Sequence, residues 1–488
     1  MIFNLFVSFI NKLIKIGDFL WGFPMIIILI IVSIMYTIGT KGFQFTYFFH
    51  CMKYTFGTRI RKGSNRSSGK GISPFRALCM ALCTTLGVGN IAGVCVSLAL
   101  GGPGAVVWIW VAGFLGMIIK YGEITLGVKY REINPETGMY RGGIMWYVGK
   151  GLSRKWKWIG VLYAAFYVVV IINAPAVQVN TMASAASSYF KIPPLLIGVT
   201  MAALIALVLI GGLRRVSVFA EKIVMVMSFL YFLVTIVVLI LYLPEIPRAF
   251  GLIFKYAFTD AKAIVGGFGG ASVAMAFRHG LARGFYSNGA GSGDAPFAHS
   301  SSDVDHPVKQ GLWGISEVVV DTLVCTISAL IVLVTGVWTS QGIGVNLFIT
   351  AVSAAFDSQF FANVFVIIIV FFFAFSTAVM CAYYGEICLN YFTKNKIITN
   401  FYRCLICLAI ILSTNTVFVS RVDLLWRLGD FNVAICMILS LMSLVLLRKE
   451  VYAATEEYKQ NFKKSLKNVQ NKKGVKPSEK FLFSENIF

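Results

Sequence analysis

Long, unbroken apolar blocks separated by short polar connections occupy most of the chain. Each block is long enough for a helix of about 20 residues to cross the hydrocarbon core of a bilayer. Eleven such helices are predicted, over 22–40, 75–100, 103–130, 156–185, 193–212, 217–243, 263–289, 308–338, 361–391, 400–418 and 429–447. The apolar residues do not alternate with polar ones, which argues against an outer-membrane barrel. The fold class read from this pattern is an all-α polytopic membrane protein. The first block is too long for a signal sequence, and Lys41 follows it where a small-residue cleavage site would stand. Residues 448–488 form a polar, lysine-rich tail, expected to be partly disordered or to lie on the membrane surface.

Composition narrows the class further. Of 488 residues, 58% are hydrophobic and 13% charged, against about 25% charged in a soluble domain. A typical soluble enzyme, a disulfide scaffold, a coiled coil and a disordered chain are excluded. The 43 basic and 21 acidic residues leave a net charge of +22, which in a soluble protein would suggest nucleic acid. Here the basic residues collect in alternate loops. Residues 41–76 hold eight of them and no acid, 129–157 hold seven, and 339–360 hold none. Cytoplasmic loops carry such an excess, so the N-terminus is expected outside and the C-terminus in the cytoplasm. No organelle-targeting presequence is visible, and the expected location is a bacterial-type plasma membrane. Most of the ten cysteines lie in or beside apolar runs and read as buried fillers, and four histidines offer little to a metal centre.

Two predicted spans contain sequences that a continuous membrane helix avoids. The second holds Thr84-Thr85-Leu86-Gly87-Val88-Gly89-Asn90. The seventh holds Gly266-Gly267-Phe268-Gly269-Gly270-Ala271-Ser272, then Arg278, Arg283 and Ser287-Asn288-Gly289-Ala290-Gly291-Ser292-Gly293. Glycine tolerates unwound backbone, and the freed peptide groups then need an ion, a substrate or water. Either break alone is equally well explained by close helix packing. As a pair, opening two successive five-helix blocks, they point to an inverted-repeat transporter with a site near the midplane. Gly87-Val88-Gly89 lacks the strand and βαβ unit of a dinucleotide fingerprint. No phosphate-binding loop is present, so an ion gradient is the expected energy source.

Ionisable groups inside membrane helices are costly and therefore informative. Lys120 and Glu123 share one helical face and are expected either to neutralise each other or to pack at a helix end. Arg278 and Arg283, with Asp294, Asp303 and Asp305, are expected towards the cytoplasmic end of span seven, as an inner gate or as solvated charges. Asp321 and Glu386 suit a proton relay or a structural hydrogen bond equally. Ser376-Thr377 in span nine bond back to their own helix or supply oxygen ligands to a hard cation such as sodium. Asn173, Gln178 and Asn180 in span four suit either a zwitterion or interhelical bonding.

The chain resembles the alanine or glycine:cation symporter family of sodium-coupled amino-acid carriers. The resemblance rests on Gly87-Val88-Gly89-Asn90-Ile91-Ala92-Gly93-Val94, continuing through Leu100-Gly101-Gly102-Pro103-Gly104-Ala105 to Gly116-Met117 and Lys120-Tyr121-Gly122-Glu123. It extends to Gly280-Leu281-Ala282-Arg283-Gly284-Phe285-Tyr286-Ser287-Asn288, Ala295-Pro296, Asp305-His306-Pro307, Phe375-Ser376-Thr377 and Tyr383-Tyr384-Gly385-Glu386. Arg141-Gly142-Gly143 and Gly211-Gly212-Leu213 add shorter matches. The family implies a leucine-transporter-like five-plus-five inverted repeat. Residues 1–447 would form one transporter domain, with 22–40 peripheral, 75–243 the first repeat and 263–447 the second, and 448–488 a basic cytoplasmic tail.

The resemblance further implies a substrate held by Thr85, Gly87, Val88, Gly89 and Asn90, with Gln178, Tyr286, Ser287, Thr377 and Cys381 around it. Sodium, the implied coupling ion, would be shared by carbonyls near Cys83 and Leu86 with the Ser376 and Thr377 hydroxyls. No organic cofactor is implied; the partners are a small neutral amino acid, sodium and the lipid bilayer, and no nucleic acid. Four positions depart from the family: Val88 for Thr, Cys381 for Trp, Gly289 for Glu and Asp294 for a small residue. The expected activity is sodium-coupled import of an alanine- or glycine-like amino acid by alternating access. Proton coupling or a larger neutral substrate is the alternative within transport. An ion channel and a membrane-embedded enzyme are the others, without a visible filter or a His/Ser/Asp constellation to support them.

Overall fold

The computed structural model describes residues 2–57, 69–259, 273–340, 342–415 and 422–473. In chain order the first helices are α1 (Ile2–Leu20), α2 (Phe23–Gly39), α3 (Phe43–Thr46), α4 (Phe48–Gly57), α5 (Pro74–Thr85) and α6 (Val94–Gly101). They are followed by α7 (Ala105–Lys129), α8 (Ile144–Gly151), α9 (Trp158–Phe190), α10 (Pro194–Leu209), α11 (Gly212–Leu241) and α12 (Ile246–Phe258). The rest are α13 (Val273–Asn288), α14 (Ala295–His299), α15 (Pro307–Val334), α16 (Val345–Phe356), α17 (Gln359–Phe392), α18 (Lys396–Ser413) and α19 (Val422–Lys473). Two short strands, β1 (Glu132–Ile133) and β2 (Tyr140–Arg141), pair antiparallel after α7.

Among the described residues, seven helices are long and apolar enough to cross a membrane, and two bent pairs raise that to nine. The bent pairs are Asn11–Leu20 with Phe23–Gly39, and Pro74–Thr85 with Gly89–Gly101. The predicted span 193–212 is α10, apolar but only 16 residues long. The predicted span 263–289 is described only from Val273, and the Gly266–Ser272 break lies outside the described residues. A further helix, α1, precedes the first predicted span, joined to it by a bend of 41° ahead of Pro24.

The centre of the bundle is α7, packed against α13 and α15. Of its 25 residues 19 are buried, because small residues let neighbours approach closely. A Cβ at Gly116 would stand 2.7 Å from the Asn288 amide, and one at Gly127 2.7 Å from Pro296. The outer helices show the opposite pattern. Phe229, Leu233, Ile236 and Ile240 of α11 are exposed apolar residues on one face, as lipid contact requires.

One end of the bundle gathers the basic connections. Ile72 bonds through its backbone to Ser301 and Asp303, at 2.9 and 2.8 Å. Arg131 donates to the Val304 carbonyl at 2.8 Å and lies over the Tyr140 ring. Glu132 accepts from Arg141 and Lys150 at 2.8 and 3.0 Å. Residues 69–73, 129–150 and 301–306 thus share one face.

The tail differs from its expectation. Helix α19 continues to Lys473, because Val451, Ala454, Thr455 and Tyr458 form an i, i+3, i+4, i+7 stripe that is buried. Tyr452 donates to the Met35 carbonyl at 2.9 Å, and Lys459 to that of Thr40 at 2.7 Å. Residues 448–465 are therefore docked against α2 and its end; 474–488 lie outside the described residues.

Candidate functional site

The first break follows from where the amides go. Helix α5 begins at Pro74, with Ser73 capping the Arg76 amide, and ends at Thr85. Leu86 leaves the helix at φ −87°, ψ 81°. The Gly87 amide then bonds the Thr85 carbonyl and the Asn90 side-chain oxygen, at 3.2 and 3.1 Å. In a regular helix that amide would serve the Cys83 carbonyl. The chain resumes as a π-turn over Gly89–Gly93, bent 54° from α5. The carbonyl oxygen of Cys83 instead accepts from Thr377 Oγ1 at 2.8 Å, and that of Leu86 lies 3.5 Å from the same hydroxyl. The Phe373 carbonyl is 2.9 Å from it. Three backbone oxygens and one hydroxyl so converge at the end of a half-helix, an oxygen-only donor set suited to a hard cation. No group of three or more His, Cys, Asp or Glu side chains that could hold a metal occurs among the described residues.

Beside this cluster a Cβ on Gly87 would stand 3.1 Å from Thr377 Oγ1 and 3.5 Å from Gln178 Oε1. The same Gln178 oxygen accepts from the Val88 amide at 3.3 Å. Cys381 lies one turn beyond Thr377 on α17 and is only half-buried. Gly87, Val88, Gln178, Thr377, Cys83 and Leu86 are thus brought together. Ser376 is turned away: adjacent helical residues point about 100° apart, and its hydroxyl faces the Met227 sulfur at 3.6 Å and donates to Phe373.

The second break is made by Gly289, Gly291 and Gly293, at φ +60°, +90° and +81°. These are left-handed values that only glycine adopts cheaply. They separate α13 from the short α14. Two carboxylates of α15, one turn apart, tie the breaks together. Asp321 Oδ1 accepts from Asn90 Nδ2 at 2.6 Å and from Ser287 Oγ at 2.8 Å. Glu317 Oε1 accepts from Thr85 Oγ1 at 2.6 Å and from Lys120 Nζ at 3.1 Å. Its other oxygen lies 3.1 Å from His299 Nε2, at the end of α14. Thr85 and Ser287 therefore hold the broken helices to α15, and Asn90 does so through Nδ2 while its Oδ1 stays on the Gly87 amide.

Several expectations for charged residues change. Lys120 and Glu123 do not pair: Lys120 meets Glu317, while Glu123 accepts from the Gly293 amide at 2.8 Å and Ser440 Oγ at 2.9 Å. Both stay buried because each has a partner at a break. Asp321 bonds the two breaks, and Glu386 pairs with Arg403 at 2.6 Å. Asn180 bonds the Ser413 carbonyl, the interhelical use of a buried amide.

Arg283 does not lie among the basic connections. Its guanidinium lies against Gly89 and Gly93, where a Cβ on either glycine would overlap it. It borders a cavity of about 610 Å³ on the face opposite the basic connections. Tyr286 lines this cavity too, 5.3 Å ring to ring from Trp21, so Tyr286 faces the cavity and Gly89 faces the Arg283 guanidinium, apart from the Gly87–Thr377 cluster. Arg283 carries little sequence signal of position; only its spacing ahead of the Gly289–Gly293 run hints that it lies before the break.

A profile of the sodium:alanine symporter family matches residues 7–473. The chain belongs to that family. This symporter is 36% identical over 461 residues to the transporter YflA of Bacillus subtilis, covering 94% of this chain and 95% of that one. It is 34% identical over 468 residues to the sodium/alanine symporter AgcS of Methanococcus maripaludis, covering 95% and 99%. Its fold is also that of the manganese transporter of Eremococcus coleocola, with a TM-score of 0.56 at 15% identity over 86% of this chain and 92% of that one. The family member is thus a polytopic, leucine-transporter-like membrane transporter, as expected from the sequence.

Proposed function

We propose that the protein imports a small neutral α-amino acid together with sodium, by alternating access across a plasma membrane. The observation carrying this is the convergence of the Cys83, Leu86 and Phe373 carbonyls on the Thr377 hydroxyl, directly beside Gly87. Sodium replaces the hydroxyl's proton contacts with ion–oxygen contacts and fixes the end of α5. The substrate carboxylate takes the Val88 amide now held by Gln178, next to the ion. Ion and substrate then order the same unwound segment, so each strengthens the other's binding. Cys381, half-buried on the same face as Thr377, leaves room for the substrate side chain. Asn90 holds the bend and leaves the ammonium group to break carbonyls.

In this proposal 75–243 and 263–447 are the two repeats, each opening on its own break. The basic face lies in the cytoplasm and the 610 Å³ cavity opens outside. The name of AgcS, a sodium/alanine symporter, supports the choice of ion and substrate.

Uptake of labelled alanine into proteoliposomes should require an inward sodium gradient; equal uptake in choline or potassium rejects sodium coupling. Thr377→Ala should raise the sodium concentration for half-maximal uptake about tenfold or more, the worth of one hydrogen-bond-strength contact to a charge. An unchanged sodium dependence would move the ion elsewhere.

One observation favours proton coupling as a second reading. Asp321 is a buried carboxylate at the junction of the breaks whose described contacts are the Asn90 amide and the Ser287 hydroxyl. Uptake driven by a pH gradient with sodium absent would select it.

A further inference from the structure

Arginine inside a protein is nearly always surrounded by acceptors, since its five N–H groups are expensive to strip of water. Arg283 is an exception. Its Nε is sealed from solvent without an acceptor, and among the described residues its guanidinium forms neither a hydrogen bond nor an ion pair. It is held by shape: Gly89 and Gly93 leave the hollow it fills, and the Tyr286 ring lies 5.5 Å from its central carbon. Its edge borders the 610 Å³ cavity, shared with Trp21, Ser184, Asn346 and Asp430. Asp430 is not within ion-pair distance of it, although both line one space.

We infer that Arg283 and Asp430 form a second, outer site in this cavity for the zwitterion of an α-amino acid, the carboxylate on the guanidinium and the ammonium on the aspartate. An unpaired, pre-positioned planar fork is the recognition element for a carboxylate. The carboxylate across the cavity supplies the complementary charge, and the aromatic rings of Trp21 and Tyr286 wall the space. A simple anion site would have no use for Asp430, which would repel the anion. Because the guanidinium presses on Gly89 and Gly93, a substrate docked there touches the mouth of the first break before it reaches Gly87. Arg283 thus acts first on the free substrate and hands it inward. This inference rests on the amino-acid reading above.

The test uses the full chain. In proteoliposomes, Arg283→Gln should raise the KM for alanine about tenfold, the worth of a lost charge-assisted contact, with maximal uptake much less affected. Arg283→Lys should recover only part of the affinity. Gly87→Val closes the inner site, so equilibrium binding of labelled alanine to that variant reports the outer site. Weak binding should persist there, be displaced by excess alanine but not by alaninamide, and vanish in Gly87→Val/Arg283→Gln. Binding to Gly87→Val that is absent, or indifferent to Arg283→Gln, overturns the outer site, as does an unchanged KM. Chloride, and not alanine, shielding Arg283 from an arginine-directed dicarbonyl also overturns it. If the wild type accumulates no neutral amino acid, the transport reading itself fails. Intact wild-type uptake with an unmoved KM in Arg283→Gln sinks only the outer site. Thermal melting should show only a small loss for Arg283→Gln, because the guanidinium gives up packing against Gly89, Gly93 and the Tyr286 ring but no described hydrogen bond or ion pair.

Discussion

Lys120→Met is expected to destabilise the protein by about 3–5 kcal/mol, the loss seen when one partner of a buried ion pair is removed. The pair is fully interior, with side-chain exposures of 2% for Lys120 and 0% for Glu317. Methionine matches the lysine stem in volume, so packing survives while the Glu317 carboxylate loses its only described ammonium partner. Glu317 still holds Thr85 at the end of α5 and faces His299 at the end of α14, and Lys120 also reaches the Gly289 carbonyl at 3.5 Å. Removing the ammonium therefore loosens both breaks together, and uptake should fall with stability. Lys120→Met/Glu317→Gln should recover much of the lost stability, since no buried charge is left unpaired, without restoring full transport. The check is the melting temperature of the detergent-purified protein beside uptake in liposomes. A Lys120→Met melting curve that overlays the wild type would show that the pair does not hold the breaks.

Gly87→Val should all but abolish uptake while leaving the fold intact. The first atom of the new side chain would stand 3.1 Å from Thr377 Oγ1, with the Gln178 amide at 3.5–3.6 Å. Neither neighbour can retreat freely: Thr377 is bonded to Cys83 and Phe373, and Gln178 to Val88. Overpacking of this kind costs about 1–3 kcal/mol, and when it falls on bound substrate it corresponds to about ten- to several-hundredfold in affinity. Gly87→Ala adds only the Cβ and should give a milder version of the same defect. Wild-type affinity for both sodium and alanine in Gly87→Val would remove Gly87 from the site.

Much of this was legible in the sequence because the bilayer is a simple solvent. Apolar blocks long enough to span it have to be helices, and a run such as Leu86-Gly87-Val88-Gly89 inside one has to be explained. The first break stands where that run placed it. The second was marked by two glycine runs of equal appeal. One lies outside the described residues, and the other, Gly289–Gly293, makes the turn. In the tail, abundant lysines mask a stripe at 451, 454, 455 and 458 that packing buries.

What the sequence alone determined is the class: a multi-span helical carrier with interrupted helices, because hydrophobic length and glycine placement are local properties. Which polar groups meet was decided only by the tertiary structure. Lys120 and Glu123 are three residues apart and look like partners, yet each bonds a group at least 170 residues away. Ser376 and Thr377 are neighbours, and only one faces the Cys83 carbonyl. Arg283 reads in the sequence as one more loop-side charge, and the fold shelters it against Gly89 and Gly93. Pairing energies depend on distance and burial, and both are set by helix rotation and packing, which no local pattern encodes.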